Sequence, residues 1–352
     1  MVETIKWRDG RVCILDQTRL PREVTYIECG DYRRVADCIK EMNIRGAPAI
    51  GIAAAMGVAL AARDVRAATF EDFLRGLEPA FETLLATRPT AVNIRWAVER
   101  MRAFLESMRD EPVDALRAAL VEESVRVLRE DVEVNRAIGR FGAKFIADGA
   151  RVLTHCNAGS LATGGYGTAT APMLVAREQG KRIRVYADET RPLLQGARLT
   201  AWELREAGVD VTLITDGSAG ALMRRGEIDL AIVGTDRTAR NGDVANKIGT
   251  YAVAVLCKEN GIPFYVAAPL SSIDFSIASG DMIPIEERAP EEVTTISGCC
   301  IAPEGVKVMN LAFDVTPARY VTAIITEKGA FRPGDIARLP GAGEAELEKL
   351  RL

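Results

Sequence analysis

Two side chains in this sequence stand where chemistry is most easily done. Cys156 closes the apolar run Arg151-Val152-Leu153-Thr154-His155-Cys156, and Asp236 closes Ile228-Asp229-Leu230-Ala231-Ile232-Val233-Gly234-Thr235-Asp236. Both runs have the length and composition of buried strands, so both residues fall at strand ends. A thiol there, near arginines or helix N-termini, is drawn towards thiolate, a base and nucleophile. Cysteine is otherwise a small buried hydrophobe, which is the reading for most of the other six. A carboxyl in an apolar pocket is pushed up and acts as a general acid near neutral pH. The alternative for Asp236 is a helix cap or turn aspartate, a role that fits Asp243 beside Gly242 better. The only histidine, His155, adjoins Cys156. A single imidazole rules out multi-histidine metal sites. Adjacent residues on a regular strand face opposite ways, which argues against a Cys-His dyad.

Other residues could hold an anion. Arg45-Gly46-Ala47-Pro48 sets an arginine and a glycine before a helix whose first turn tolerates proline. The free N–H groups of such a turn suit an oxyanion or phosphate. Arg88-Pro89-Thr90 repeats the logic more weakly, and Asn246-Lys247 precede Gly249-Thr250 and another expected helix. The glycine loop Asn157 to Thr170 follows a strand and precedes a helix, as a dinucleotide fingerprint does. However, Gly165-x-Gly167 is followed by Thr170 where the last glycine belongs, and the loop is too long for the tight turn. A loop that closes on a ligand fits better.

The elements that must position these residues divide the chain in two. Residues 1–147 read as short strands in the first forty positions (VCILDQ, LPREVTYIEC), then helices: one from about Pro48, then FEDFLRGLEPAFETLLA, AVNIRWAVERMRAFLESM and a long amphipathic stretch, DALRAAL to AKFIA, that forms one helix or two. Residues 148–352 alternate short apolar runs with helices, the pattern of a parallel sheet covered on both faces. Ligands bind beyond the carboxyl ends of such strands. Those ends carry His155-Cys156-Asn157, Asp188-Glu189-Thr190-Arg191, Thr215-Asp216-Gly217, Gly234-Thr235-Asp236-Arg237 and Ala268-Pro269. The fold class is α/β: a mainly helical N-terminal domain with short strands at its start, then a Rossmann-like domain.

Composition narrows the function. The 352 residues are 48% hydrophobic and 27% charged, with a formal charge of -4, which gives no general affinity for nucleic acid or anionic membrane. The apolar run from Ala47 to Ala62 reads as too short to span a bilayer. Seven cysteines without a CxxC pair, and a start without a signal-peptide core, point to the cytoplasm.

The runs LDQTRLP, IRGAPAIGIAAA, RPTAVN, LTHCNAGSLATGGYGTA, ETRPLLQGARLTAWEL, VGTDRTARNGDVANKIGTY and FYVAAPLSSID resemble, in order and over nearly the whole chain, the methylthioribose-1-phosphate isomerases. The resemblance implies an aldose–ketose isomerase of methionine salvage that converts 5-methylthioribose 1-phosphate into 5-methylthioribulose 1-phosphate without metal or cofactor. It implies Cys156 and Asp236 as the catalytic pair, Arg45, Gly46, Ala47, Arg88, Gln195, Asn246 and Lys247 as substrate contacts, and a homodimer. An acid would open the ring, and the thiolate would take the C2 proton or polarise the 2-hydroxyl for hydride transfer. Rival readings are an isomerase of 5-deoxyribose 1-phosphate or ribose 1,5-bisphosphate, and a non-catalytic regulatory subunit like those of the exchange factor for translation initiation.

Overall fold

A computed structural model describes residues 2–89 and 91–352, so Thr90 of the Arg88-Pro89-Thr90 segment lies outside the described residues. The chain divides into two compact units, Met1–Glu133 with Ser160–Gly167, and Val134–Gly159 with Thr168–Leu352.

The first unit opens on an antiparallel sheet of β1 (Ile5–Arg8), β2 (Arg11–Leu15) and β3 (Tyr26–Cys29). Helix α1 (Tyr32–Lys40) follows within the stretch expected to hold only strands and turns. Its start is set by Asp31, whose carboxylate accepts the backbone N–H groups of Arg33 and Arg34. Then come α2 (Ala47–Asp64), α3 (Phe70–Leu85), α4 (Val92–Ser107) and α5 (Val113–Gly142), which belongs to this unit up to Glu133 and to the second unit from Val134. The long amphipathic stretch is thus one helix of 30 residues.

Helix α2 is the core of this unit. Its 18 residues are long and apolar enough to cross a membrane, contrary to the expectation from the Ala47–Ala62 run, but 78% of them are buried inside the protein. Small residues allow that depth. A Cβ on Gly51 would stand 3.0 Å from the Asn93 carbonyl of α4, and one on Gly57 would stand 3.1 Å from Leu84 of α3. A helix buried all round gains its stability from packing, not from an amphipathic face.

The second unit runs β4 (Arg151–Thr154), α6 (Ala171–Glu178), β5 (Arg184–Asp188), α7 (Ala201–Glu206), β6 (Asp210–Ile214), α8 (Ala219–Arg224) and β7 (Leu230–Val233). It continues with β8 (Arg237–Ala239), β9 (Val244–Lys247), α9 (Thr250–Glu259), β10 (Phe264–Ala267), β11 (Ile273–Asp274), α10 (Glu291–Thr294), β12 (Thr295–Ile296) and β13 (Cys299–Cys300). It ends with β14 (Phe313–Thr316), β15 (Ala323–Thr326), β16 (Gly329–Phe331) and α11 (Glu344–Leu350). The six apolar runs expected as parallel strands are β4, β5, β6, β7, β10 and β15. They form one sheet in the order β16-β15-β10-β7-β4-β5-β6, parallel except for β16.

That order places a switch point. From β4 the chain winds outward through β5 to β6, then returns to β7 on the other side of β4 and winds outward through β10 to β15. The crevice beyond the carboxyl ends of β4 and β7 is where a doubly wound sheet opens to a ligand.

A smaller sheet in the order β11-β8-β9-β14 was not expected from the sequence. Its organiser is Asp243. One carboxylate oxygen accepts from the Gly280 N–H and the Asn241 amide, and the other accepts from the Ala318 N–H. Partial burial opposes the charge on Asp243, yet these donors hold its carboxyl below the usual carboxylate range. Asp243 is therefore the turn aspartate the sequence suggests, tying three segments together.

Candidate functional site

Cys156 and Asp236 follow β4 and β7, the neighbouring strands at the switch point, and Gln195 follows β5 on the other side of β4. Adjacent strands lie about 4.8 Å apart, so these three segments emerge side by side. Asn246 and Lys247 end β9. Arg45, Gly46, Ala47 and Arg88 belong to the first unit.

The cysteines sort by environment. Cys13, Cys29, Cys38 and Cys257 are buried, Cys299 and Cys300 are exposed in β13, and Cys156 is half-buried. Burial pushes the Cys257 thiol up to about 12, which marks it as an inert core residue. Cys156 differs in its backbone as well. It leaves β4 with φ 63°, in the left-handed region. Its N–H donates to Thr190 Oγ1 at 2.8 Å and its carbonyl accepts from Thr200 Oγ1 at 2.6 Å. Asn157 is buried, its amide donating to Thr200 Oγ1 at 3.1 Å and to Glu203 Oε1 at 2.7 Å.

Asp236 is exposed, and its N–H donates to the Ala245 carbonyl of β9 at 3.0 Å. The apolar pocket in which burial would raise its carboxyl is therefore not built around it by this chain. Gln195 is buried, and its Oε1 has no hydrogen-bond partner among the described residues. A buried acceptor without a donor is costly unless something else supplies one. Lys247 is buried. Its Nζ donates to the Ala312 carbonyl at 2.9 Å and sits 4.5 Å from the Phe313 ring centre, which uses one of three ammonium hydrogens in a hydrogen bond. Asn246 donates its side-chain amide to Thr250 Oγ1 at 3.0 Å, next to the start of α9.

In the first unit, Gly46 is the N-cap of α2 with φ 96°, and a Cβ there would lie 2.5 Å from the Ala162 backbone. Only glycine fits. No side chain caps α2, so its first-turn N–H groups keep the anion-binding character the sequence suggests. Arg45 is held by Gln17, whose Oε1 accepts from Arg45 Nε at 3.2 Å while its Nε2 donates to the Leu161 carbonyl. Arg88 is half-buried after α3. The glycine loop forms no tight strand-to-helix turn. Its Ser160–Ala162 segment is a short 3-10 turn, and the Gly164 N–H donates to Asp131.

His155 turns away from any dyad with Cys156. Its Nδ1 meets Asp188 Oδ2 at 2.9 Å and its Nε2 meets the Ile248 carbonyl at 2.8 Å. Asp216 lies close enough that ligand atoms of His155, Asp188 and Asp216 fall within 4.8 Å of one another. Most of these atoms are engaged, the two Asp216 oxygens by the N–H groups of Thr190 and Arg191 and Asp188 Oδ2 by His155, while Asp188 Oδ1 is buried without a hydrogen-bond partner among the described residues. A carbonyl can only accept, so Nε2 carries a hydrogen in every state. The Nδ1–Oδ2 contact then holds one proton, on either partner. Burial opposes the imidazolium, but Asp188 and the Ile248 carbonyl outweigh it and raise His155 above its ordinary value. Burial likewise raises Asp188 against the pull of His155. Both directions mean that the pair keeps its proton to higher pH.

Above about pH 6.5 an unfolded histidine releases that proton while the folded pair retains it. Stability is then expected to fall as pH rises from about 6.5 through the folded value, by at most about 1.4 kcal/mol per pH unit. As the only imidazole, His155 can be followed by NMR without assignment. Its midpoint should lie above about 6.5 in the native chain and drop in Asp188→Asn. A native midpoint at or below that value would overturn the shared-proton reading.

Sequence reasoning flagged Asp188 and Thr190 only as polar strand-end residues and missed what they hold. The contact comes from the register of β4 on β5, in which Thr154 pairs with Ala187 and residue 155 falls beside residue 188, and no sequence signal carries that register. Thr200 and Glu203 lie within an expected helical segment and gave no signal.

Comparison with known proteins bears on this arrangement. Residues 43–333 match the initiation factor 2 subunit family. The methylthioribose-1-phosphate isomerase of Geobacter sulfurreducens is 58% identical over 338 residues, 96% of this chain and 98% of that protein. The crystal structure of 5-methylthioribose 1-phosphate isomerase from Pyrococcus horikoshii superposes with a TM-score of 0.91 at 46% identity, covering 99% of this chain and 95% of that one. A structure described as translation initiation factor eIF-2B, subunit delta, from A. fulgidus reaches 0.88 at 45% identity, covering 99% and 100%. By the span of the family match and by near-full-length relatives of more than half identity, this chain belongs to the initiation factor 2 subunit family and, within it, to the methylthioribose-1-phosphate isomerases.

Proposed function

We propose that this protein isomerises 5-methylthioribose 1-phosphate to 5-methylthioribulose 1-phosphate with Cys156 and Asp236 as its reacting groups. The observation that supports the reading is that a half-buried thiol and an exposed carboxyl follow the ends of β4 and β7, the adjacent strands at the switch point. The anomeric oxygen of an aldose 1-phosphate is esterified, so its ring cannot open as a free hemiacetal. Asp236 gives a proton to the ring oxygen as the C1–O bond breaks. Hydrogen then moves from C2 to C1 and the 2-hydroxyl loses its proton, leaving a ketone and no net change in composition. Cys156 as thiolate serves as the base in that transfer. Asp236 is exposed in the free chain, so bound substrate would have to supply the desolvation that keeps this carboxyl protonated and able to donate.

Arg45, Gly46, Ala47, Arg88, Gln195, Asn246 and Lys247 are assigned to substrate binding. The uncapped α2 N-terminus suits a phosphate, and the unpaired Gln195 Oε1 suits a sugar hydroxyl. Binding energy at such groups fixes the reacting carbons. A homodimer in the cytoplasm completes the reading. Met282, Ile301, Val306 and Met309 expose apolar side chains in one segment of the second unit, and Cys29 and Cys38 sit 3.8 Å apart as free thiols.

Supplying methylthioribose 1-phosphate, 5-deoxyribose 1-phosphate and ribose 1,5-bisphosphate separately, and following phosphorus NMR, tests the substrate. Fastest ketose formation is expected from the first, with no effect of a chelator. Turnover of none would favour the regulatory-subunit reading, and preference for the bisphosphate would move the chain to the neighbouring isomerase.

A further inference from the structure

We propose that Thr190 and Thr200 are positioning residues that clamp both backbone polar groups of Cys156 and so set the direction of its thiol. The inference rests on the assignment of Cys156 as a reacting group. Two residues with left-handed backbones meet here, Cys156 at φ 63° and Thr190 at φ 65°. Such a conformation brings Cβ too close to a carbonyl oxygen and is strained for any residue but glycine. It is rarer still for a β-branched residue. Strain of this kind persists only where surrounding bonds over-determine it.

Those bonds are present. Thr190 Oγ1 accepts from the Cys156 N–H and donates to the Asp188 carbonyl at 3.0 Å. Thr200 Oγ1 donates to the Cys156 carbonyl and accepts from the Asn157 amide. Each hydroxyl therefore uses its one hydrogen and accepts one more, and neither is free to rotate. Thr190 is fixed in turn by its N–H to Asp216 Oδ1 at 2.7 Å. Both threonines are buried, at 0% and 1% exposure, so water cannot replace either hydroxyl.

The turn breaks the alternation of β4 at the residue whose side chain matters. The direction of the Cys156 Cβ is then set by the clamp and not by the pleat. Removing a hydroxyl lets the peptide relax and moves the thiol, while groups that bind the substrate stay in place. The loss should therefore fall on kcat and not on KM.

Thr190→Val and Thr200→Val keep shape and remove the hydroxyl, and the serine variants restore it. The valine variants are expected to lower kcat at least about tenfold with KM within about threefold. The rate of Cys156 alkylation by iodoacetamide, measured in a Cys299→Ser/Cys300→Ser background, should change and its pH midpoint should move. Thr190→Ser and Thr200→Ser should recover both readouts, which a purely packing role of the methyl group would not allow. Native kcat and a native alkylation profile in Thr200→Val, or in a folded Thr190→Val, overturn the clamp. Cys156→Ala is measured beside them. If it keeps turnover, the assignment of Cys156 fails, and the alkylation profiles still decide the clamp. If it loses turnover while the valine variants match the native chain, only the clamp fails.

Discussion

Cys156→Ala is expected to lower turnover by at least about a hundredfold while leaving the fold intact, and Asp236→Asn should do the same. The structure gives reason to expect folded variants in both cases. Cys156 is only half-buried, and the bonds of its N–H to Thr190 and of its carbonyl to Thr200 belong to the backbone, which alanine retains. Asp236 is exposed, its N–H bonds to Ala245, and asparagine has nearly the same shape. A loss of rate therefore reports chemistry and not collapse. Thermal melts should match the native chain within about 2 °C, a shift that corresponds to about 1.5 kcal/mol for a chain of this size. The pH–rate profile separates the roles. Loss of the base removes the limb that rises with pH, and loss of the acid removes the limb that falls. Retention of most activity by either variant would remove that residue from the mechanism.

Much of the scaffold was legible because its signals are local. Five of the six parallel strands are short apolar runs buried on both faces, which makes them continuous and easy to read, while the edge strand β6 is largely exposed and was legible from its apolar residues alone. The start of α2 was legible because Gly46 and Pro48 are each there for a backbone reason. The smaller sheet was not legible, because its strands span two to four residues and pair across long separations, Phe313 with Lys247 for instance. One signal was overlooked, since Asn241-Gly242 between β8 and β9 is a turn pair typical of hairpins. The site followed the same division. Strand ends pointed to Cys156 and Asp236, since position along the chain fixes them. The hydroxyl clamp and the His155–Asp188 pair depend on which strands are neighbours, and the order of β7, β4 and β5 is a tertiary fact. The exposure of Asp236 is of that kind too, because burial is decided by what the rest of the chain packs over a residue.

The second large effect is expected from a residue with no side chain. Gly196→Ala should destabilise the protein by about 3 kcal/mol or more, the upper range for overpacking, because the added atom meets backbone. A Cβ at Gly196 would stand 1.6 Å from the Asp188 carbonyl oxygen and 2.9 Å from Thr190 Oγ1. No rotamer relieves a collision with a carbonyl at a strand end, so β5 or the Gly196–Thr200 turn must shift. That carbonyl accepts from Thr190 Oγ1, the side chain of Asp188 holds His155, and Thr190 holds Cys156. The displacement is thus passed to the thiol through two hydrogen bonds. A shift of about 1 Å at reacting groups can cost about a hundredfold in rate, so activity should fall even in the fraction that folds. Gly217→Ala is the matched control, since its Cβ would meet nothing within 4 Å. Denaturant midpoints and kcat measured on both variants decide the matter. A native midpoint in Gly196→Ala would show that the end of β5 yields freely, and the rigid support drawn here for Cys156 would then be wrong.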